Sequence, residues 1–122
     1  MLSFEATELY DLLVQQTAEE RDALPFGVIE LDAELVCQAY NQTESRFSGL
    51  SPERVIGRQF FELVAPCMNN FMVRDRLLEE ELDVIIDYVL SVRITPTPVR
   101  LRMLVKQGSS TRFLVVETPE ER

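Results

Sequence analysis

The sequence predicts an α+β domain, a five-stranded antiparallel sheet with helices on one face and a helical cap at the N-terminus. Three observations predict it. Strand-like runs fall in two groups, two before residue 41 and three after residue 82, and the stretch between them reads as short helices. An amphipathic helical segment precedes the first strand. The chain has 122 residues and is 46% hydrophobic, which suits one compact domain with a single core.

The elements follow in order. Ser3 is placed to cap a first helix carrying Leu9, Leu12, Leu13 and Gln16 at helical spacing. Thr17 and Glu20 form a capping-box start for a second short helix, and Leu24-Pro25 ends the helical pattern. Residues 27–31 alternate as a first strand, Asp32-Ala33-Glu34 turns the chain, and residues 35–40 make the second. From 41 to 64, Gly49, Ser51-Pro52-Glu53 and Gly57 punctuate brief helical turns. Residues 70–82 return to helical spacing through Phe71, Arg74, Leu77, Leu78 and Glu81, and the main helix is expected there. Residues 83–95 are rich in β-branched residues and predict a long central strand; Thr95-Pro96-Thr97-Pro98 predicts a loop. Val99, Leu101 and Met103 alternate with Arg100 and Arg102, a half-buried strand with its charged side in water. Gly108-Ser109-Ser110 then leads into a last strand from Arg112 to Glu117. Residues 1–23 are read as the cap, expected to touch the core through few apolar residues, and 24–122 as the core of a single domain.

Composition removes several functions. Twelve basic and 21 acidic residues give a net charge of −9, which repels phosphate backbones and anionic lipid, so neither nucleic acid nor membrane is an expected partner. No apolar stretch approaches the roughly 20 residues of a membrane span, and the first residues lack the pattern of a signal peptide, so a cytoplasmic location is expected. The chain has no histidine, which removes cysteine–histidine catalysis, and two thiols without imidazole do not make a zinc site. No enzyme is expected. Cys37 has strand spacing and reads as packing, and Glu79-Glu80-Glu81 reads as a solvated face.

Cys67 closes the apolar run Phe60-Phe61-Glu62-Leu63-Val64-Ala65-Pro66. Taken alone, such a thiol is a small buried hydrophobe; Tyr40 alone is a core residue, and Glu44 alone is a solvated helix carboxylate. Their joint placement changes the reading. Phe26-Gly27, Tyr40-Asn41 with Glu44, Val55-Ile56-Gly57 with Phe60-Phe61, and Val64-Ala65-Pro66-Cys67 occur in one order without a gap, and Thr95-Pro96-Thr97 follows. In these blocks the chain resembles the photoactive yellow protein family of PAS-type blue-light receptors, over residues 24–106.

The resemblance implies a PAS-like fold and p-coumaric acid (4-hydroxycinnamic acid) held as a thioester on Cys67. Tyr40 and Glu44 would hold the phenolic oxygen and Ser48 would extend their network. Phe60, Val64, Ala65, Leu90 and Ile94 would line the pocket with Leu50. A buried phenolate is costly without donors; tyrosine donates its hydroxyl hydrogen, and a carboxylic acid donates only when protonated, which burial favours. By the same resemblance, light drives trans–cis isomerisation, Glu44 gives up its proton, and the buried carboxylate left behind loosens the N-terminal segment. The chain departs from the family at several pocket positions. Leu50 replaces an arginine, Ile94 a methionine that speeds recovery, Leu90 an aromatic and Met68 a threonine, and the segment between Cys67 and Ile94 is shorter. A greasier cavity and a slow return to the dark state follow.

A second reading is a chromophore-free PAS module for a small ligand or a protein. In either case the signal is expected to pass to a separate, unidentified signalling protein or through self-association, the chain itself being a monomer or weak homodimer.

Overall fold

The computed structural model describes residues 2–91 and 95–119. Helices α1 (Leu9–Gln15) and α2 (Ala18–Asp22) lead into strands β1 (Gly27–Leu31) and β2 (Cys37–Tyr40). Helices α3 (Gln42–Ser48) and α4 (Pro52–Val55) follow, then a π-helical turn at Phe60–Val64 and 3-10 turns at Pro66–Met68 and Arg76–Leu78. Strands β3 (Leu82–Leu90), β4 (Thr97–Val105) and β5 (Arg112–Glu117) complete the described chain. The strands form one sheet in the order β2-β1-β5-β4-β3, with every adjacent pair antiparallel. This is the expected five-stranded architecture, except that β3, read as a central strand, lies at an edge of the sheet.

Alternation along the strands builds two cores. Ile29, Leu101, Met103, Leu114 and Val116 face Phe60, Phe61 and Leu77 on the side covered by the short helices and turns. Val28, Leu104, Phe113 and Val115 point the other way and are covered by Phe4, Leu9 and Leu13. The N-terminal segment therefore has a hydrophobic core of its own, against the expectation of few apolar contacts. At about 1.5–3 kcal/mol per fully buried large side chain, Phe4, Leu9 and Leu13 hold the segment with roughly 5–9 kcal/mol before its ordering entropy is subtracted.

Arginines clip the same segment down. Arg102, expected on a wet strand face, is buried; its Nη1 donates to the carbonyls of Phe4 (2.9 Å) and Ala6 (2.8 Å), while Nε and Nη2 grip Asp83. Arg100 bridges Glu5 and Glu117. Strand alternation did predict that these side chains share a face, but that face is under the cap.

Three further expectations change. Ser3 does not cap α1: its carbonyl accepts from Ala6 N in a separate turn, and α1 starts after Glu8, which has a left-handed backbone (φ 60°). The expected helix over 70–82 is a string of turns with one 3-10 turn at Arg76–Leu78, even though Asn70 Oδ1 accepts from Met72 N and Val73 N as a helix cap does. Phe71, assigned to its apolar face, is 75% exposed. Finally, Thr97 and Pro98 extend β4, paired with Leu90 and Val89. Pro98 is tolerated there because the β4–β5 ladder begins only at Arg100, so its missing N–H breaks no bond on that side. The capping box at Thr17 and Glu20 is present as read, with bonds of 2.8 and 3.1 Å.

Candidate functional site

Asn41 organises the junction where β2 becomes α3. Its Oδ1 accepts from Glu44 N (3.1 Å), capping α3, and from Val28 N (2.9 Å) on β1. Its Nδ2 donates to Arg21 O (2.8 Å) at the end of α2 and to Phe26 O (3.1 Å). One buried amide therefore fixes α3, β1 and the N-terminal helices relative to each other.

The cap fixes the side chains that follow. Tyr40, the last residue of β2, is 6% exposed, and its hydroxyl donates to Ser48 Oγ at 2.8 Å. Burial, then the nearby Glu44 charge, push the Tyr40 phenol well above its ordinary range, while the Ser48 bond partly opposes them. Tyr40 is thus a protonated donor at any physiological pH. Glu44, one helical turn before Ser48 on α3, is 5% exposed. It packs against Gly27, where an added Cβ would overlap Glu44 Oε1 and come within 3.0 Å of Glu44 Cβ and Cδ. Gly27 opens β1 because no other residue leaves room for that carboxyl group.

Cys67 lies in the 3-10 turn that Pro66 begins, half-buried and packed on the sheet core. Its carbonyl accepts from Tyr88 OH (2.8 Å) and Asn70 Nδ2 (3.3 Å), and Asn70 Nδ2 also donates to Tyr88 OH (2.7 Å). This triangle ties the turn to β3. Cys67 lines a cavity of about 290 Å³ together with Ser48, Leu50, Val64, Pro66 and Ser91. That volume falls just below the roughly 300–1,000 Å³ of small-molecule sites.

The predicted residues divide accordingly. Ser48, Leu50, Val64 and Cys67 surround the cavity. Tyr40 reaches it through Ser48, and Glu44 lies behind on the same helix; neither is among the lining residues. Phe60, Ala65 and Leu90 are fully buried in the core against which Cys67, Leu50 and Val64 pack. Ile94 lies outside the described residues. Sequence reasoning missed Gly27, Asn70, Tyr88 and Ser91 as parts of the site. Asn70 and Tyr88 carry no local signal, since a loop asparagine and a strand tyrosine meet only through tertiary structure.

Cys37, the other thiol, is chemically separate. It is fully buried, donates to Ala39 O, and burial pushes its thiol up to about 12. Packing is its role.

A family model described as the PAS fold matches residues 21–99. Photoactive yellow protein of Halochromatium salexigens is 31% identical over 107 residues, which cover 84% of this chain and 86% of that protein. Photoactive yellow protein of Rhodothalassium salexigens is 30% identical with the same coverage. The chain belongs to the photoactive yellow protein family. The crystal structure of the photoactive yellow protein domain from the sensor histidine kinase Ppr of Rhodospirillum centenum superposes with a TM-score of 0.81 at 37% identity, covering 88% of this chain and 98% of that one. The PAS domain of the RpfR quorum-sensing receptor of Cronobacter turicensis shares the fold at a TM-score of 0.59 and 17% identity. Membership makes this chain a PAS-type sensory module. Among the described residues no helix is long and apolar enough to cross a membrane.

Proposed function

We propose that the chain is a blue-light photoreceptor that carries p-coumaric acid as a thioester on Cys67. One observation supports this most: Cys67 and Ser48 line one cavity, and Ser48 is hydrogen-bonded to the buried hydroxyl of Tyr40. A nucleophile and a polar terminus thus flank one small space, which suits an elongated ligand attached at one end and hydrogen-bonded at the other.

Loading is an acyl transfer. The Cys67 thiolate attacks the carbonyl of an activated coumaroyl ester, the C–S bond forms, and the activating group departs with the electron pair of its bond. The Tyr88 and Asn70 bonds to the Cys67 carbonyl hold the turn that presents the sulfur. When bound, the coumaroyl group supplies visible absorption and a double bond that isomerises from trans to cis. Tyr40 then turns its hydroxyl from Ser48 towards the phenolic oxygen, and Glu44, protonated in the dark, is the second donor. Phe60, Val64, Ala65 and Leu90 exclude water, with Ile94 as a further wall residue and Leu50 in place of a cationic gate.

After illumination Glu44 would pass its proton to the phenolate oxygen of the bound group, leaving the ionised carboxyl in a buried position over Gly27. A charge developing in that buried position costs several kcal/mol, comparable with the stability of a small domain. Glu44 N and Arg21 O both bond Asn41, so a shift of α3 strains the attachment of the N-terminal helices. Release of residues 1–23 from the core of 24–122 is the signal, passed in the cytoplasm to a separate protein or a second copy. The dark form is a monomer or weak homodimer.

Reconstitution of the apoprotein with an activated p-coumaric ester tests the proposal. A visible band that bleaches under blue light and recovers slowly in darkness is expected. A colourless product contradicts it and favours a chromophore-free ligand or interaction module.

A further inference from the structure

The two edges of the sheet are finished differently. Along β2 the outward backbone is closed by the chain that follows α4: Gly57 N donates to Cys37 O (2.8 Å), Cys37 N donates to Arg58 O (2.9 Å), and Val36 bridges Gln59. Strand β3, at the other edge, is neighboured by β4 alone. Among the described residues, no backbone group outside β4 bonds the main chain of residues 82–90. Every second N–H and C=O of an antiparallel edge strand points away from its neighbour, so β3 presents a row of unpaired donors and acceptors. The row is long and regular. Its register runs unbroken from Leu82 opposite Val105 to Leu90 opposite Thr97, and it holds no glycine, proline or lysine to blunt it.

The side chains along this edge say what kind of strand suits it. Val84, Ile86 and Tyr88 turn to the sheet core. Ile85 and Val89, 40% and 57% exposed, lie on the opposite face with Asp87 between them. Asp87 stands across from Arg100 in the register, but Arg100 is held by Glu5 and Glu117, and Asp87 forms no ion pair among the described residues. Asp83, on the same face, is shared with Arg102. The charge separates the possible occupants. A second copy would bring the same carboxylates to the edge and a second net charge of −9, which opposes self-pairing. A strand with a cation opposite Asp87 and apolar residues two positions to either side complements it.

We propose that β3 is a docking edge for an extended segment of a partner protein, in which Lys or Arg alternates with apolar residues along one face. The segment adds as a further strand of the sheet. Its backbone takes up the unpaired groups of β3, its cation meets Asp87, and its apolar side chains cover Ile85 and Val89. The edge is formed by the chain without any pigment, so the inference stands apart from light sensing.

The test uses the whole apoprotein, labelled with nitrogen-15, titrated with the peptide acetyl-TVTKVITKT-amide. Set antiparallel to residues 90 to 82, this peptide places lysines opposite Asp87 and Asp83, and its first valine and its isoleucine opposite Val89 and Ile85. Two peptides serve as comparisons, one with both lysines replaced by glutamate and one with the central valine replaced by proline, which keeps the charge and breaks strand pairing. Saturable binding is expected, with slowed amide exchange at alternate residues of β3. Each comparison peptide should bind about tenfold more weakly. Asp87→Lys, a change at an exposed side chain, should weaken binding of the lysine peptide about fivefold or more and strengthen binding of the glutamate peptide. Four results overturn the proposal: no saturable binding, equal binding of the proline peptide, exchange slowed elsewhere than β3, and affinities unchanged in Asp87→Lys. Slowing at β3 that grows with protein concentration in the absence of peptide also overturns it, because the occupant is then a second copy.

Discussion

Glu44 occupies the space that a side chain on Gly27 would need, so the acid and the glycine are one structural unit. Gly27→Ala is expected to push Glu44 off its position and to lower unfolding free energy by about 1–3 kcal/mol in urea titration. The same variant, once reconstituted, should show a shifted visible band, because the displaced carboxyl no longer reaches the pigment. Wild-type stability and spectrum together would remove Gly27 from the site.

Asn41→Ala deletes two acceptor and two donor bonds that join α3, β1 and α2. A loss of about 2–4 kcal/mol is expected, since buried backbone groups lose their partners. Amide exchange in residues 2–23 should accelerate more than exchange in β4 and β5. Asn41→Asp keeps the acceptor and loses the donors, so its effect should fall between the two. Uniform acceleration along the chain would show that Asn41 supports the whole fold and not this attachment.

Tyr88→Phe removes the hydroxyl that donates to the Cys67 carbonyl and accepts from Asn70. Stability should fall by about 1 kcal/mol. The more telling readout is the rate of iodoacetamide alkylation at Cys67, expected to rise severalfold as the turn loosens. An unchanged rate would mean that Asn70 alone holds the turn.

Alkaline pH should destabilise the fold through Cys37. Burial raises its thiol from 9.0 to about 12, so above pH 9 the unfolded chain releases a proton that the folded chain retains. Stability conferred by the neutral thiol is complete below pH 9 and is lost as pH rises towards 12. Tyr40, raised for the same reason, adds a loss at still higher pH. Unfolding free energy measured from pH 8 to 11 should fall less steeply in Cys37→Ala than in wild type. Equal slopes would contradict the assignment.

Much of this was legible in the sequence because the signals were local. Strand alternation set Val99, Leu101 and Met103 apart from Arg100 and Arg102, and the Thr17–Glu20 spacing set the start of α2. Tyr40, Glu44 and Cys67 were singled out through their motif blocks, and Ser48 through the resemblance alone. What was hidden depends on contacts distant in the chain. Arg102 alternates like a solvent-facing residue, and only the docking of Phe4 and Ala6 over it reveals a buried clip. The helical spacing of Phe71, Leu77 and Leu78 yields only short turns, an outcome that hydrophobic spacing cannot register. Gly27 reads as a strand opener until Glu44 is placed against it.

The central claim is that Cys67, and not Cys37, takes an acyl group. Peptide mapping by mass spectrometry after incubation with an activated p-coumaric ester measures this directly. The account predicts one coumaroyl group on the peptide containing Cys67, none on the peptide containing Cys37, and no uptake by Cys67→Ala. An unmodified Cys67 peptide, or equal labelling of both cysteines, would contradict it.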